Sequence, residues 1–250
     1  MKKTLQTAFG VAGALGLAAA LAAPAAAAPL SANGAVTTNY VFRGISQSGG
    51  QAAVQGGLDY DLGAVVPGLA VGTWASSIDF GHSTTGDDTP IELDLYGSYT
   101  GMINDQFSWS VGAITYNYPN APHGVNYNWF EVWGGLTYNF GIASLTGKIF
   151  YSPDYVNLSD RQIYYNGSVS IPIAPWLSLN GSVGYTDLEN DVFPVIKSYT
   201  DWGVNLAATY ENFTLTVGYT GTDLSGAYEI TRGPFETDDQ FWVMIGFKLP

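Results

Sequence analysis

Seven carboxylates fall where strand-like runs would put them on one face: Asp59, Asp61, Asp79, Glu92, Asp94, Glu131 and Asp201. The same alternation adds three bases to that face, Arg43, Lys148 and Lys248. Such carboxylates could work as acid–base pairs, hold a divalent cation, or set the potential of a wet surface. Nothing in their spacing singles out two of them, as glycosidase chemistry would need. "DLEND", residues 187–191, offers oxygen ligands but lacks the spacing and glycine of an EF-hand loop. The chain has two histidines, His82 and His123, both in loop-like stretches. "GHSTTG" sets His82 beside a serine, but adjacency in sequence is not the geometry of a nucleophile and its base. GxSxG, HExxH and phosphate-loop motifs are missing. The sequence therefore predicts no catalytic residue, no cofactor and no metal site. Its charged groups read as the lining of a water-filled interior.

Alternation at every second residue is the pattern that must position them. In "VQGGLDYDL", Val54, Gly56, Leu58, Tyr60 and Leu62 alternate with Gln55, Gly57, Asp59 and Asp61. "IELDLYGSY" sets Ile91, Leu93 and Leu95 against Glu92, Asp94 and Tyr96, and "FEVWGGLTYNF" sets Phe130, Val132 and Leu136 against Glu131 and Trp133. Such runs predict about twelve strands, roughly 34–46, 52–62, 69–80, 90–101, 107–118, 127–140, 142–152, 161–172, 177–187, 199–210, 213–222 and 237–249. They are longer than the usual five or six residues of soluble strands and suit a bilayer crossing of about 9–11 residues. Connections alternate between short ("MINDQ", "EN") and long ("GHSTTGDDT", "LENDVFPVIKS"), with the first, "QSGGQ", an exception in length. Aromatics gather at two levels, Tyr60, Tyr138, Phe140, Trp176, Tyr210 and Phe213 near the short turns, and Tyr116, Tyr118, Tyr127, Trp129, Tyr151, Tyr185 and Trp202 near the long loops. This is the pattern of an all-β, closed, transmembrane antiparallel barrel with short periplasmic turns and longer extracellular loops. A closed barrel satisfies its backbone polar groups within hydrocarbon.

The 250 residues include 21 acidic and 8 basic side chains and no cysteine. Lys2 and Lys3 open a segment with an apolar run and a small-residue tail, "PAAAAP", read as a cleaved secretory signal over 1–27, with the barrel domain over 28–250. What remains carries a net charge near −15, which argues against nucleic-acid binding. On the first strand, Val36, Tyr40 and Phe42 are expected to face lipid, and Asn39 and Arg43 a wet lumen. Arg43 with Asp59 and Asp61 invites a structural bridge along the wall, favoured over a ligand-binding arginine, while the strand register that would name the partner is not fixed by the sequence. Tyr96, Trp133, Phe150 and Tyr164 face inward and bulky, which points to a narrow or gated pore.

"NYVFRGISQ", "QGGLDYDLG" and "GTWASS" resemble the amino-terminal signature of the TorF-type porins of proteobacterial outer membranes. "WFEVWGGLTY", "YSPDY" and "SYTDWGV" are similar in order and spacing. The resemblance implies a β-barrel with a channel role and brings no established substrate. The carboxyl end departs from the usual terminal aromatic, since Phe247 is followed by Lys248, Leu249 and Pro250. The expectation is a non-enzymatic, porin-like channel of a Gram-negative outer membrane. It would pass small solutes or ions and prefer cations, because seven inward acids outnumber three bases. Expected partners are outer-membrane lipids and lipopolysaccharide, the barrel assembly machinery and the solutes themselves. The alternatives are a non-conducting structural or adhesin barrel and an outer-membrane lipid-modifying enzyme.

Overall fold

In the computed structural model, which describes residues 29–81, 89–122, 126–156, 160–191 and 197–250, the period-two pattern closes into a ring. Twelve antiparallel strands form it: β1 (Leu30–Thr37), β4 (Ala53–Asp61), β5 (Leu69–Ser77), β6 (Ile91–Met102), β7 (Phe107–Asn117), β8 (Trp129–Asn139), β9 (Ser144–Ser152), β10 (Gln162–Ala174), β11 (Leu177–Leu188), β12 (Tyr199–Tyr210), β13 (Phe213–Thr222) and β14 (Gln240–Leu249). Each pairs with its neighbours in order, and β1 closes the ring by pairing with both β4 and β14. Short connections (62–68, 103–106, 140–143, 175–176, 211–212) lie at one end and long ones at the other. The signal segment, His82, His123, Asp87 and Asp88 lie outside the described residues.

Strand alternation becomes an inside and an outside. On β6, Ile91, Leu93 and Leu95 are exposed outward, while Glu92, Asp94 and Tyr96 are buried inward. Outward positions elsewhere are similarly apolar, as at Val54, Leu136, Leu206, Leu215 and Phe241. The interior is polar and aromatic, and its large rings lie flat on the wall. Tyr96 sits opposite Gly72 and Trp133 opposite Gly112 across paired strands. A Cβ added to either glycine would come within 2.5 or 2.6 Å of the facing ring. The missing side chains are what let these rings lie back from the axis.

The first strand differs from the sequence expectation. It ends at Thr37, and residues 38–52 turn into the barrel. There β2 (Val41–Phe42) pairs with β3 (Ile45–Ser46) as a hairpin. At its tip Arg43 and Gly44 both take positive φ, 49° and 79°, as a two-residue type I′ turn demands. Tyr40 is therefore 1% exposed within the interior, and Phe42 packs at 5.8 Å on Tyr116. Neither faces lipid. Their apolar surface is covered by inward-turned aromatics, Trp74 on β5 against Tyr40 and Tyr116 and Trp129 on β7 and β8 against Phe42. The expected upper aromatic belt divides accordingly: Tyr151, Tyr185 and Trp202 are exposed outward, while Tyr116, Tyr118 and Trp129 are buried inside.

Candidate functional site

The inserted hairpin is held at its base by an amide and hydroxyl network. Asn39 Oδ1 accepts from Ser46 Oγ at 2.7 Å and from Ser48 Oγ at 3.1 Å, and its Nδ2 donates to Gln240 Oε1 at 2.6 Å. Gln240 Nε2 in turn donates to the Gly44 carbonyl at 3.0 Å. The Ser46 amide donates to the Glu236 carbonyl at 2.8 Å, tying the hairpin to the last long connection, residues 223–239. Phe235, at φ 60°, reaches from that connection to Phe80, with ring centres 4.7 Å apart. Phe80 also packs with Tyr118 and Tyr127, so an aromatic cluster lies over the long-loop mouth. Burial pushes the carboxyl of Glu236 above its ordinary range, with Asp238 adding to the effect and Arg232 opposing it.

At the tip, strand geometry and chemistry converge on Arg43. Its Nη2 donates to both oxygens of Glu131, at 2.9 and 2.8 Å. Gln162, with its amide oriented to satisfy both neighbours, donates to Glu131 Oε1 at 3.0 Å and accepts from Arg43 Nη1 at 3.1 Å. The Tyr116 hydroxyl donates to Glu131 Oε2 at 3.2 Å, and the Tyr199 hydroxyl donates to the Arg43 carbonyl at 3.0 Å. The guanidinium carbon stands 4.0 Å from the centre of the Tyr164 ring, 4.7 Å from Phe42, 5.2 Å from Phe150 and 5.9 Å from Trp129. Glu131 is wholly buried and Arg43 is 7% exposed, so each charge depends on its partners.

The other predicted site residues divide among three settings. Glu92, Asp94 and Asp201 lie buried on the inner wall toward the long-loop end. Glu92 Oε1 accepts from the Tyr40 hydroxyl at 3.1 Å and Asp201 Oδ1 from that of Tyr164 at 3.2 Å, while Asp94 Oδ1 and Asp201 Oδ2 have no hydrogen-bond partner among the described residues. Asp59, toward the short-turn end, accepts from Tyr96 Oη at 2.5 Å and Asn33 Nδ2 at 3.3 Å. It does not meet Arg43, because the hairpin carries the guanidinium away from β4 and toward β8. Asp61 is exposed at the end of β4 and caps its turn through the Gly63 amide, 2.7 Å. Asp79 stands beyond the end of β5, where it accepts from the Gly81 amide and from Gln51. It belongs to the loop rather than to the lumen wall. Lys148 leans over Gly135 with its Nζ 4.6 Å from the centre of the Trp133 ring, and Lys248 is exposed near the end of β14.

Many acids of the long connections serve local structure. Arg161 bridges Asp187 at 3.0 Å and Glu189 at 3.6 Å, and the Asp187 hydrogen bond holds its guanidinium above the ordinary value. Asp191 and Asp239 accept from Tyr228 and Tyr219 hydroxyls. Sequence reasoning missed the roles of Gln162, Gln240 and Tyr199, whose partners lie 119, 201 and 156 residues away.

The profile of a family described as "Bacterial protein of unknown function (Gcw_chp)" matches residues 21–248. No curated protein matches the chain. Among solved structures, the NanC porin is similar at a TM-score of 0.57 and 16% identity, over 88% of this chain and 100% of that one. The KdgM porin is similar at a TM-score of 0.57 and 9% identity, over 88% of this chain and 98% of that one. At these identities the likeness is one of fold.

Proposed function

Because this chain belongs to the Gcw_chp family, whose description assigns no activity, its role rests on its own barrel, and we propose a narrow porin-like channel of a bacterial outer membrane. In this reading the outward apolar face meets lipid, and the polar interior is a solute path with the β2–β3 hairpin occluding its long-loop half. The observation that carries it is the closed twelve-strand ring with apolar residues outside and charged residues inside. A soluble protein has no use for an apolar belt of that extent. Porin structures of similar fold support the channel class, and the TorF-type resemblance points the same way.

Cation preference is the finer part of the proposal. Toward the long-loop end the wall carries Glu92, Asp94, Glu131 and Asp201, and Arg43, the cation that bridges Glu131, belongs to the hairpin. Asp59, Asp61 and Lys248 lie toward the short-turn end, and Lys148 stands midway along β9. Residues 1–27 would act as the export signal, and outer-membrane lipids, lipopolysaccharide and the assembly machinery would be the partners. Single-channel recording in planar bilayers across a salt gradient tests this. Discrete steps with a reversal potential on the potassium side are expected, and a chloride-side potential would overturn the selectivity.

The hairpin gives a second reading a specific footing, a barrel that does not conduct and serves as a structural or adhesive element. A variant lacking residues 41–46 separates the two. A channel should conduct more freely without the hairpin, whereas a folded variant that stays silent favours the non-conducting barrel.

A further inference from the structure

The surroundings of Arg43 are those of a bound guanidinium rather than of an ordinary wall residue. A carboxylate chelates it from below, an amide oxygen takes a further N–H, and aromatic faces cover it. Apart from Phe42, every group in this cage comes from three adjacent strands: Trp129 and Glu131 on β8, Phe150 on β9, and Gln162 and Tyr164 on β10. The hairpin supplies the guanidinium and does not build the cage.

The cage is also held by contacts of its own. Glu131 keeps hydrogen bonds from Tyr116 and Gln162. Tyr164 is tied through its hydroxyl to Asp201 and Asn166, and Trp129 stacks on Tyr116 with ring centres 4.0 Å apart. With Arg43 gone, these bonds would keep the carboxylate and the ring faces in place. Glu131 takes one guanidinium nitrogen on both its oxygens, and the Gln162 amide oxygen takes the other; two acceptors for two nitrogens of one planar group, beneath aromatic faces, suit a guanidinium better than a spherical ion or an ammonium.

We infer that Glu131, Gln162, Tyr164, Phe150 and Trp129 form a guanidinium-binding site on the lumen wall, occupied here by the chain's own Arg43. When the hairpin draws back, the site takes a small guanidinium-bearing solute. Arg43 then acts as a tethered occupant, and a solute that competes with it favours the unplugged barrel. Solute access rests on the channel reading; binding to the wall does not.

The Arg43→Gly variant tests the binding directly. Glycine accepts the positive φ at this position without strain, so the turn survives while the guanidinium is removed. Melting of the variant in detergent is followed with methylguanidinium chloride, and with urea, methylammonium chloride and sodium chloride as controls. A saturable upward shift with methylguanidinium alone is expected, absent from the native chain and lost in Arg43→Gly/Glu131→Gln. Equal shifts with urea or sodium chloride, no shift, or a shift that survives Glu131→Gln would overturn the site. Should the double variant fail to refold, Arg43→Gly/Tyr164→Leu replaces it with the same expectation.

Bilayer recording of the barrel lacking residues 41–46 separates this inference from the channel reading. Saturable block of potassium current by methylguanidinium supports both. A melting shift without any current leaves the site standing and removes the channel. Current that methylguanidinium does not block, together with no melting shift, removes the site and leaves the channel.

Discussion

Arg43→Met should loosen the hairpin without disturbing the barrel wall. The substitution leaves an unbranched apolar side chain, shorter than arginine, and removes its charge, so Glu131 is left buried without a cation. Removing one partner of a buried ion pair costs about 3–5 kcal/mol. Glu131 retains hydrogen bonds from Tyr116 and Gln162, which places the cost near the lower bound. At 1.4 kcal/mol per tenfold, about 3 kcal/mol shifts the balance between inserted and withdrawn hairpin by roughly a hundredfold. Hydrogen exchange reads this at the Ser46 and Gln47 amides, which donate to the Glu236 and Tyr40 carbonyls at 2.8 and 2.7 Å. Local opening governs exchange at such sites, so these amides should exchange about a hundredfold faster while those of β8 and β12 do not change. The double variant Arg43→Met/Glu131→Leu should recover most of the native protection, because an apolar pair of similar volume often replaces a buried ion pair at little cost. Native protection in Arg43→Met, or a double variant as loose as the single, would refute the reasoning that this pair holds the plug.

Gly44→Ala should have a related effect for a steric reason, since φ is +79° and a Cβ would lie 2.5 Å from Thr222 Cγ2 and 3.0 Å from the Gly221 carbonyl oxygen; faster exchange at Ser46 and Gln47 checks it. Leu206→Arg, on the outward face of β12, should cost about 2–4 kcal/mol in a lipid-embedded barrel, and Ser168→Arg, on the inner face of β10, far less; refolding yield into lipid vesicles compares them. Arg161→Ala breaks a solvent-screened bridge to Asp187 and Glu189 and should leave the melting temperature nearly unchanged. In the barrel lacking residues 41–46, Glu131→Gln and Asp201→Asn should each lower the cation-to-anion permeability ratio measured from reversal potentials.

The ring of strands was legible because its physical cause repeats at every second residue. "IELDLYGSY" and "FEVWGGLTYNF" each separate an apolar face from a polar one, and β6 and β8 realise those faces without a slip of register. "NYVFRGISQ" has the same period, and there the reading failed. A short hairpin inserted among aromatics needs alternation just as a spanning strand does, so period alone cannot tell them apart. The distinguishing mark was local: two residues, Arg43 and Gly44, between "VF" and "IS", with a glycine suited to positive φ. The partners of that hairpin were beyond reach. Asp59 and Asp61 lie on the strand that follows, which made them the natural expectation for Arg43. The observed partner, Glu131, is 88 residues away and is selected by how far the hairpin reaches across the interior.

Plugging and selectivity follow from one arrangement of charge. Four wall carboxylates, Glu92, Asp94, Glu131 and Asp201, are buried while the hairpin is in place. Hydroxyl donors from Tyr40, Tyr116 and Tyr164 serve three of them, and one guanidinium serves Glu131. Two of those donors, Tyr40 and Arg43, belong to the inserted segment itself. Its withdrawal would therefore open space and strip the wall of its counter-charge in the same movement, while water enters to solvate the exposed acids. A plug with an apolar tip would close the barrel at lower desolvation cost but would leave Glu131 buried without a cation. The arginine at the tip makes the closed state tolerable for a wall whose charge suits the open one.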